Sequence, residues 1–263
     1  MLTVSGLYIY PVKSLGGIAL PAASLTDRGF EYDRRWMLID ENNRFISQRE
    51  VAAMAFLKVS LQEGGLLVQN TNKADCFYLV PFQPLTTETM MVSVWSDNCL
   101  AQCVSAEADA WFSEQLDISC RLVYMPDNTL REVDELYAHN KEITSFSDGY
   151  PLLIIGQASL DDLNSRLSSP LLMDRFRPNI VFTGGLPFQE DDMKQFSIGE
   201  IQFFGVKPCA RCTITTIDQQ TGVKGKEPLK TLSTYRAKNN RIYFGQNLLY
   251  QGAGTIRIGD VIN

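Results

Sequence analysis

Apolar and polar residues alternate in short runs along most of the chain, separated by turn residues, and such runs read as half-buried strands. The first spans 2–10, with Leu7 and Ile9 on one face, and Pro11 ends it. A loop follows at 11–17, where the tandem Gly16 and Gly17 permit close backbone approach. Runs at 34–40 and 44–48 predict a hairpin around Glu41, Asn42 and Asn43, and 56–62 with 66–69 a second, turned at Gly64 and Gly65. Further strands are expected at 76–80, 91–95 and 100–104. Short strands at this spacing point to an all-β barrel or sandwich.

The period changes at 105–116, where Ala108, Trp111, Phe112 and Leu116 recur at helical spacing behind a serine cap. Residues 126–144 are polar and irregular and read as a long crossing segment. A continuous apolar strand at 151–155 precedes a helix starting at Ser159, whose Ser159-Leu160-Asp161-Asp162 resembles a capping box. Strands are expected at 180–183 and through 196–206, interrupted at Gly199 and Glu200. Pro208 should break that run and leave Cys209 and Cys212 on a turn feeding a new strand at 213–217, followed by a turn at 218–222. Pro228 suits the first turn of a helix bearing Leu229, Leu232 and Tyr235, and 242–246 and 255–258 are closing strands. The fold class is therefore mainly β, with a few helices. No repeat or low-complexity linker marks a domain boundary.

A length of 263 residues, 45% of them hydrophobic, supplies one large or two modest cores. The net charge of −6 argues against a nucleic-acid polymer as partner. No apolar run reaches the roughly 20 residues of a membrane span, and the N-terminus lacks the order of a signal peptide. The expectation is a cytoplasmic protein whose six cysteines are reduced.

Candidate chemistry centres on Cys209-Ala210-Arg211-Cys212. A thiol beside a guanidinium has a route to a lowered pKa, and the thiolate is the form that binds metals or attacks. A lone CxxC lacks the second pair that zinc needs. Cys99 and Cys103 flank a strand, and the single histidine, His139, reads as a surface residue. Inert half-buried thiols are the plainer alternative. The cations Lys13, Arg34 or Arg35, Arg175, Arg177 and Arg211 lie in loops or at strand ends. Arg177 precedes a proline, which should hold it extended. Together such arginines would make a fork for phosphate oxygens; singly, each has a local carboxylate, Asp33 for Arg34 and Asp174 for Arg175.

Tyr10-Pro11-Val12-Lys13-Ser14, Asp33-Arg34-Arg35-Trp36, Phe176-Arg177-Pro178-Asn179-Ile180 and the two-cysteine motif with Asp218-Gln219-Gln220-Thr221-Gly222 occur in an order that resembles one family. It is that of the two-part MOSC proteins, among them the amidoxime-reducing components and bacterial reductases of N-hydroxylated compounds. The resemblance implies a MOSC N-terminal β-barrel domain at 1–104 and a MOSC β-barrel domain at 105–263. It implies a molybdenum cofactor, a pterin dithiolene with a terminal phosphate, and makes Cys212 the catalytic thiolate and molybdenum ligand. By the same likeness Lys13, Ser14, Arg34, Asp148, Arg177, Asn179 and Arg211 hold the cofactor. Gly149, Tyr150 and Ala210 depart from the animal pattern, Ala210 removing one hydroxyl contact. The family also carries a pyridoxal-phosphate-binding label.

The activity implied is reduction of N-hydroxylated compounds (amidoximes, hydroxylamines, N-hydroxylated bases). Electrons would come from a separate ferredoxin- or flavoprotein-type carrier. Some bacterial relatives carry a C-terminal plant-type ferredoxin domain. No four-cysteine cluster spacing follows the MOSC portion here, so either the donor is a separate protein or that domain lies outside this sequence. A second reading is a sulfur carrier with a persulfide on Cys212, and a third a binding module with inert thiols.

Overall fold

The computed structural model describes residues 1–263. It is mainly β, with three α-helices, Ala106–Leu116, Gln157–Ser165 and Leu229–Ser233. The largest sheet closes on itself. Leu152–Gly156 pairs in parallel with Ile180–Thr183, which pairs with Leu2–Ile9, then Val261–Ile262, Gln195–Ile198, Ile201–Ala210 and Arg241–Gln251. Arg241–Gln251 pairs back onto Leu152–Gly156, and that closure leaves the ring with no free edge. Its interior holds Val4, Leu7, Ile9, Ile154, Ile180, Phe182, Phe203 and Leu248.

The first strand of the chain thus belongs to a barrel built otherwise from residues 152–262. Leu7 faces Ile180 and Thr3 faces both Thr183 and Val261. A second body packs beside it: the sheet Trp36–Ile39, Arg121–Tyr124, Asp97–Cys103, Thr89–Val94 and the three strands Leu57–Gln62, Gly65–Asn70, Phe77–Pro81. Trp36, Leu38, Leu57, Leu66, Phe112 and Leu122 fill the space between these sheets and the helix Ala106–Leu116. The Ser105 hydroxyl accepts the Ala108 amide at 3.0 Å and caps that helix, as the serine predicts.

Several expectations need correction. The run 44–48 forms no strand: Asp40 Oδ1 accepts the Asn42 and Arg44 amides and folds the return leg into a turn, joined only by isolated bridges. The central strand Arg121–Tyr124, four residues with buried Leu122, Val123 and Tyr124, is not among the expected strands. Ser159 is not a cap. The helix starts two residues earlier at Gln157, and the Ser159 hydroxyl donates instead to Glu190 at 2.8 Å and accepts the Phe188 amide at 2.7 Å. The tandem glycines serve packing: a Cβ at Gly17 would collide with the Tyr10 ring, and one at Gly16 would lie 3.2 Å from the Lys58 backbone. His139 is exposed, its ring 5.1 Å from that of Phe204. No helix is long and apolar enough to cross a membrane.

The Ser159 contact produces a pH dependence. Glu190 is fully buried, one carboxyl oxygen has no partner, and burial pushes its pKa up to about 7. The folded chain keeps this proton where the unfolded chain, at about 4.3, has released it. Stability therefore falls as pH rises between those values and levels off above the higher one. Glu190→Gln should remove this slope and gain about 3 kcal/mol on the wild type between about pH 4 and pH 8 in urea unfolding. Parallel curves for the two proteins would contradict it.

Candidate functional site

Five segments meet at one end of the barrel. Tyr10 to Leu15 leave the first strand; the Lys13 amide donates to Trp36 O at 2.8 Å and the Arg34 amide to Tyr10 O at 3.0 Å. The Phe146 amide donates to Arg34 O at 2.9 Å and carries the 144–148 segment to the same place. Arg177 to Asn179 precede the strand at Ile180, and Arg211 and Cys212 follow the strand ending at Ala210. Lys13, Ser14, Arg34, Asp148, Arg177, Asn179, Arg211 and Cys212 all line the resulting cleft. All eight expected positions are brought together, although they span 200 residues of sequence. Arg35 and Arg175 are not among them: Arg35 pairs with Asp127, and Arg175 with Asp218 rather than Asp174.

The floor of the cleft is an arginine–aromatic stack. The guanidiniums of Arg34 and Arg177 lie 4.3 and 4.2 Å from the Tyr10 ring centre. Arg34 donates to Asp33 at 2.6 Å, the expected pairing, and to Asn179 Oδ1 at 3.1 Å. Arg177 donates to Leu15 O at 2.7 Å and has no carboxylate partner. Burial, reinforced by the charge of Arg34, pushes its pKa down to about 10. Its backbone is not extended: φ is +54°, and Ser14 and Arg34 share this left-handed region at +68° and +50°. Three non-glycine residues so held in one cleft are backbone strain retained by the surrounding bonds.

Lys13 Nζ donates to Phe146 O and to Asp148 Oδ1, both at 2.7 Å. Asp148 also accepts the Trp95 indole at 3.2 Å. The Asp148 side chain is 74% exposed, so solvent screens the pair, yet the Lys13 ammonium still holds its carboxyl below the usual range, and burial lowers the Lys13 pKa in turn. Asn179 makes three side-chain bonds: Oδ1 accepts from Arg34 and Leu153 N, and Nδ2 donates to Tyr8 O, which leaves one Nδ2 hydrogen free.

The cysteine motif departs from expectation. Pro208 does not break the strand, which runs Ile201–Ala210 with register shifts between Gly205 and Lys207 and between Pro208 and Ala210. Thr213–Thr216 is a 3-10 turn, because the Thr215 and Thr216 hydroxyls donate to the carbonyls of Cys212 and Thr213 at 3.0 and 2.8 Å. That turn, rather than a strand, sets the direction of Cys212. Arg211 reaches the other thiol: Nη1 donates to Cys209 Sγ at 2.9 Å and Nη2 to Phe176 O at 2.6 Å. Burial nevertheless pushes the Cys209 thiol up. Arg211 Nε is buried without a partner. Behind the turn, Asp218 Oδ1 accepts three donors from 220–221, and the Gln219 and Gln48 side chains bond reciprocally. The second motif is therefore a stitch between the barrel and the first third of the chain. No three metal-ligating side chains cluster anywhere, and Cys99 and Cys103 are buried in another sheet.

Tyr10, Trp95 and Arg131 escaped the sequence reading. Arg131 donates to the carbonyls of Ser145 and Ser147 at 2.8 and 2.7 Å and so shapes the Asp148 loop. Tyr10 lay within a recognised motif; nothing in the local pattern marked the other two.

The sheet order and the cleft define a mainly β, closed-barrel protein with one cationic, thiol-bearing cleft, and sequence comparison supplies its family. A profile described as MOSC N-terminal beta barrel domain matches residues 1–119, and one described as MOSC domain matches 141–263. The chain belongs to the family of two-part MOSC proteins. It is 32% identical to mitochondrial amidoxime-reducing component 1 of Mus musculus, over 99% of this chain and 81% of that protein. It is 31% identical to mitochondrial amidoxime reducing component 2 of Homo sapiens, over 99% and 82%. A molybdenum cofactor sulfurase of Oryza sativa subsp. japonica is 31% identical over 94% of this chain but only 32% of its own length.

The Lys13–Asp148 bond is directly testable. As a carboxyl with a depressed pKa, Asp148 adds stability at neutral pH that is lost as pH falls through the acid range. In Lys13→Met its carboxyl should titrate nearer about 3.9, followed by carbon-13 NMR. An unmoved titration would show that Lys13 does not hold it.

Proposed function

We propose that the chain is a molybdenum-cofactor-dependent oxidoreductase that reduces N-hydroxylated compounds with electrons from a separate carrier protein. What carries this reading is the convergence of Lys13, Arg34, Arg177 and Arg211 around the cleft into which Cys212 opens. The residues suit an anionic, phosphate-bearing group with a soft metal. Arg177 lacks a counter-charge, Arg211 Nε is buried without an acceptor, and half-buried Cys212 has no hydrogen-bonded neighbour at sulfur. Guanidiniums match phosphate oxygens, and a cysteine thiolate suits a soft metal.

In this reading Cys212 Sγ is the metal ligand. Arg34, Arg177 and Arg211 hold the phosphate and pterin edge, with the Lys13–Ser14 turn closing one side. Asp148, an acceptor-only carboxylate, receives pterin N–H groups. Asn179 works through Arg34, whose guanidinium its Oδ1 accepts, and keeps one Nδ2 hydrogen for the cofactor. Cys209, already bonded to Arg211, stays a neighbour. When bound, the cofactor supplies the two-electron, oxygen-accepting chemistry. The net reaction takes an N-hydroxylated nitrogen, two electrons and two protons to an N–H group and water. The amidoxime-reducing names of the relatives favour this substrate class. Free thiols at all six cysteines suit a reducing, cytoplasmic setting.

Cys212→Ser should abolish benzamidoxime reduction, while Cys209→Ser should keep activity within about tenfold of wild type. Equal loss from both would contradict the ligand assignment. A cyanolysable sulfur on Cys212 in protein without molybdenum would instead support the persulfide carrier.

A further inference from the structure

Beyond the wall of the cleft lies a second groove, and its charge is opposite to that of the molecule. Lys207, Arg236, Lys238 and Arg241 line it, against one carboxylate, Asp191, which is paired with Arg236 at 2.6 Å. The chain as a whole carries −6. Lys238 and Arg241 face each other across a two-stranded turn whose apex, Asn239 and Asn240, has φ of +50° and +57°. Both cations are exposed, and neither makes an ion pair. Such a turn is a tight, twist-matched connection, so the pair is presented on a defined scaffold.

The groove shares structure with the cleft. Lys207 Nζ lies 4.4 Å from the Tyr137 ring centre and 5.8 Å from that of Tyr150, and Tyr150 lines the cleft. Tyr243, in the groove, faces Ala210 across the ladder, and the Arg211 amide donates to Ile242 O at 2.8 Å. Cys212 follows two residues after Ala210, about 7 Å of extended backbone. A protein seated on the turn would sit against the wall behind the thiol.

We propose that this groove docks a small acidic electron-carrier protein. The proposal rests on the reductase reading above and names the face at which its electrons enter. A protein surface fits better than a small anion, because small-ligand sites enclose their ligand with converging groups, whereas here the unpaired cations are exposed. Exposed cations of one sign steer an acidic surface and set its register. Each N–O cleavage consumes two electrons and two protons and releases one water, so a one-electron carrier must dock twice per turnover. A salt-sensitive contact that releases quickly suits that demand.

The test is the charge-reversed pair Lys238→Glu/Arg241→Glu. Its binding to a plant-type 2Fe–2S ferredoxin, an acidic one-electron carrier, is measured by calorimetry at low and high salt. Benzamidoxime reduction is measured with the reduced ferredoxin and with reduced methyl viologen, which needs no docked protein. The variant should bind ferredoxin about tenfold or more weakly, with a flattened salt dependence, and keep its viologen-driven rate within about twofold. Unchanged ferredoxin binding, a wild type that does not bind it, or saturable inorganic phosphate in the groove instead would overturn the proposal. Absence of viologen-driven reduction in the wild type would sink the reductase reading, while calorimetry would still decide the docking.

Discussion

Leu7 faces Ile180 across an antiparallel ladder, and the cleft depends on that register. The residues just beyond each strand, Tyr10 to Ser14 on one side and Arg177 to Asn179 on the other, are delivered to the same end of the barrel. Asn179 locks the junction by bonding Tyr8, Leu153 and Arg34 at once. A one-residue slip would reverse which faces point inward and scatter the cations. The site is thus a consequence of sheet pairing between the start and the last third of the chain.

The electrostatics follow from that convergence. Arg34 and Arg177 share one tyrosine ring, and only Arg34 has a carboxylate. Half-burying a cation without an ion-pair partner beside a second guanidinium is costly, and the lowered pKa of Arg177 expresses that cost. The proposed cofactor phosphate would offset it. Left-handed backbone at Ser14, Arg34 and Arg177 is a second cost in the same place. Both accumulate where the proposed function needs a preorganised anion cradle.

Much of the strand order was legible, because alternation marks a half-buried strand wherever one face meets the core; Leu2–Ile9, Leu57–Gln62 and Ile180–Thr183 are examples. Failures arose where side chains compete for the backbone. The threonines after Cys212 alternate like a strand, yet their hydroxyls bond back to carbonyls three residues earlier. Ser159 reads as a cap but is claimed by Glu190. Arg177 before proline reads as extended, and the bonds around it hold it left-handed. The positions in the cleft could be named only through a family resemblance; spacing along a chain does not reveal which loops meet. Trp95 and Arg131 carry no local signature of their contacts with the Asp148 loop.

Metal and pterin analysis of protein made in a host that synthesises the cofactor tests the cradle most directly, comparing wild type with Arg34→Ala/Arg177→Ala. The account predicts stoichiometric molybdenum and pterin in the wild type and near-complete loss of both in the variant, with the fold retained by circular dichroism. Full molybdenum in a folded variant, or none in the wild type, would contradict it.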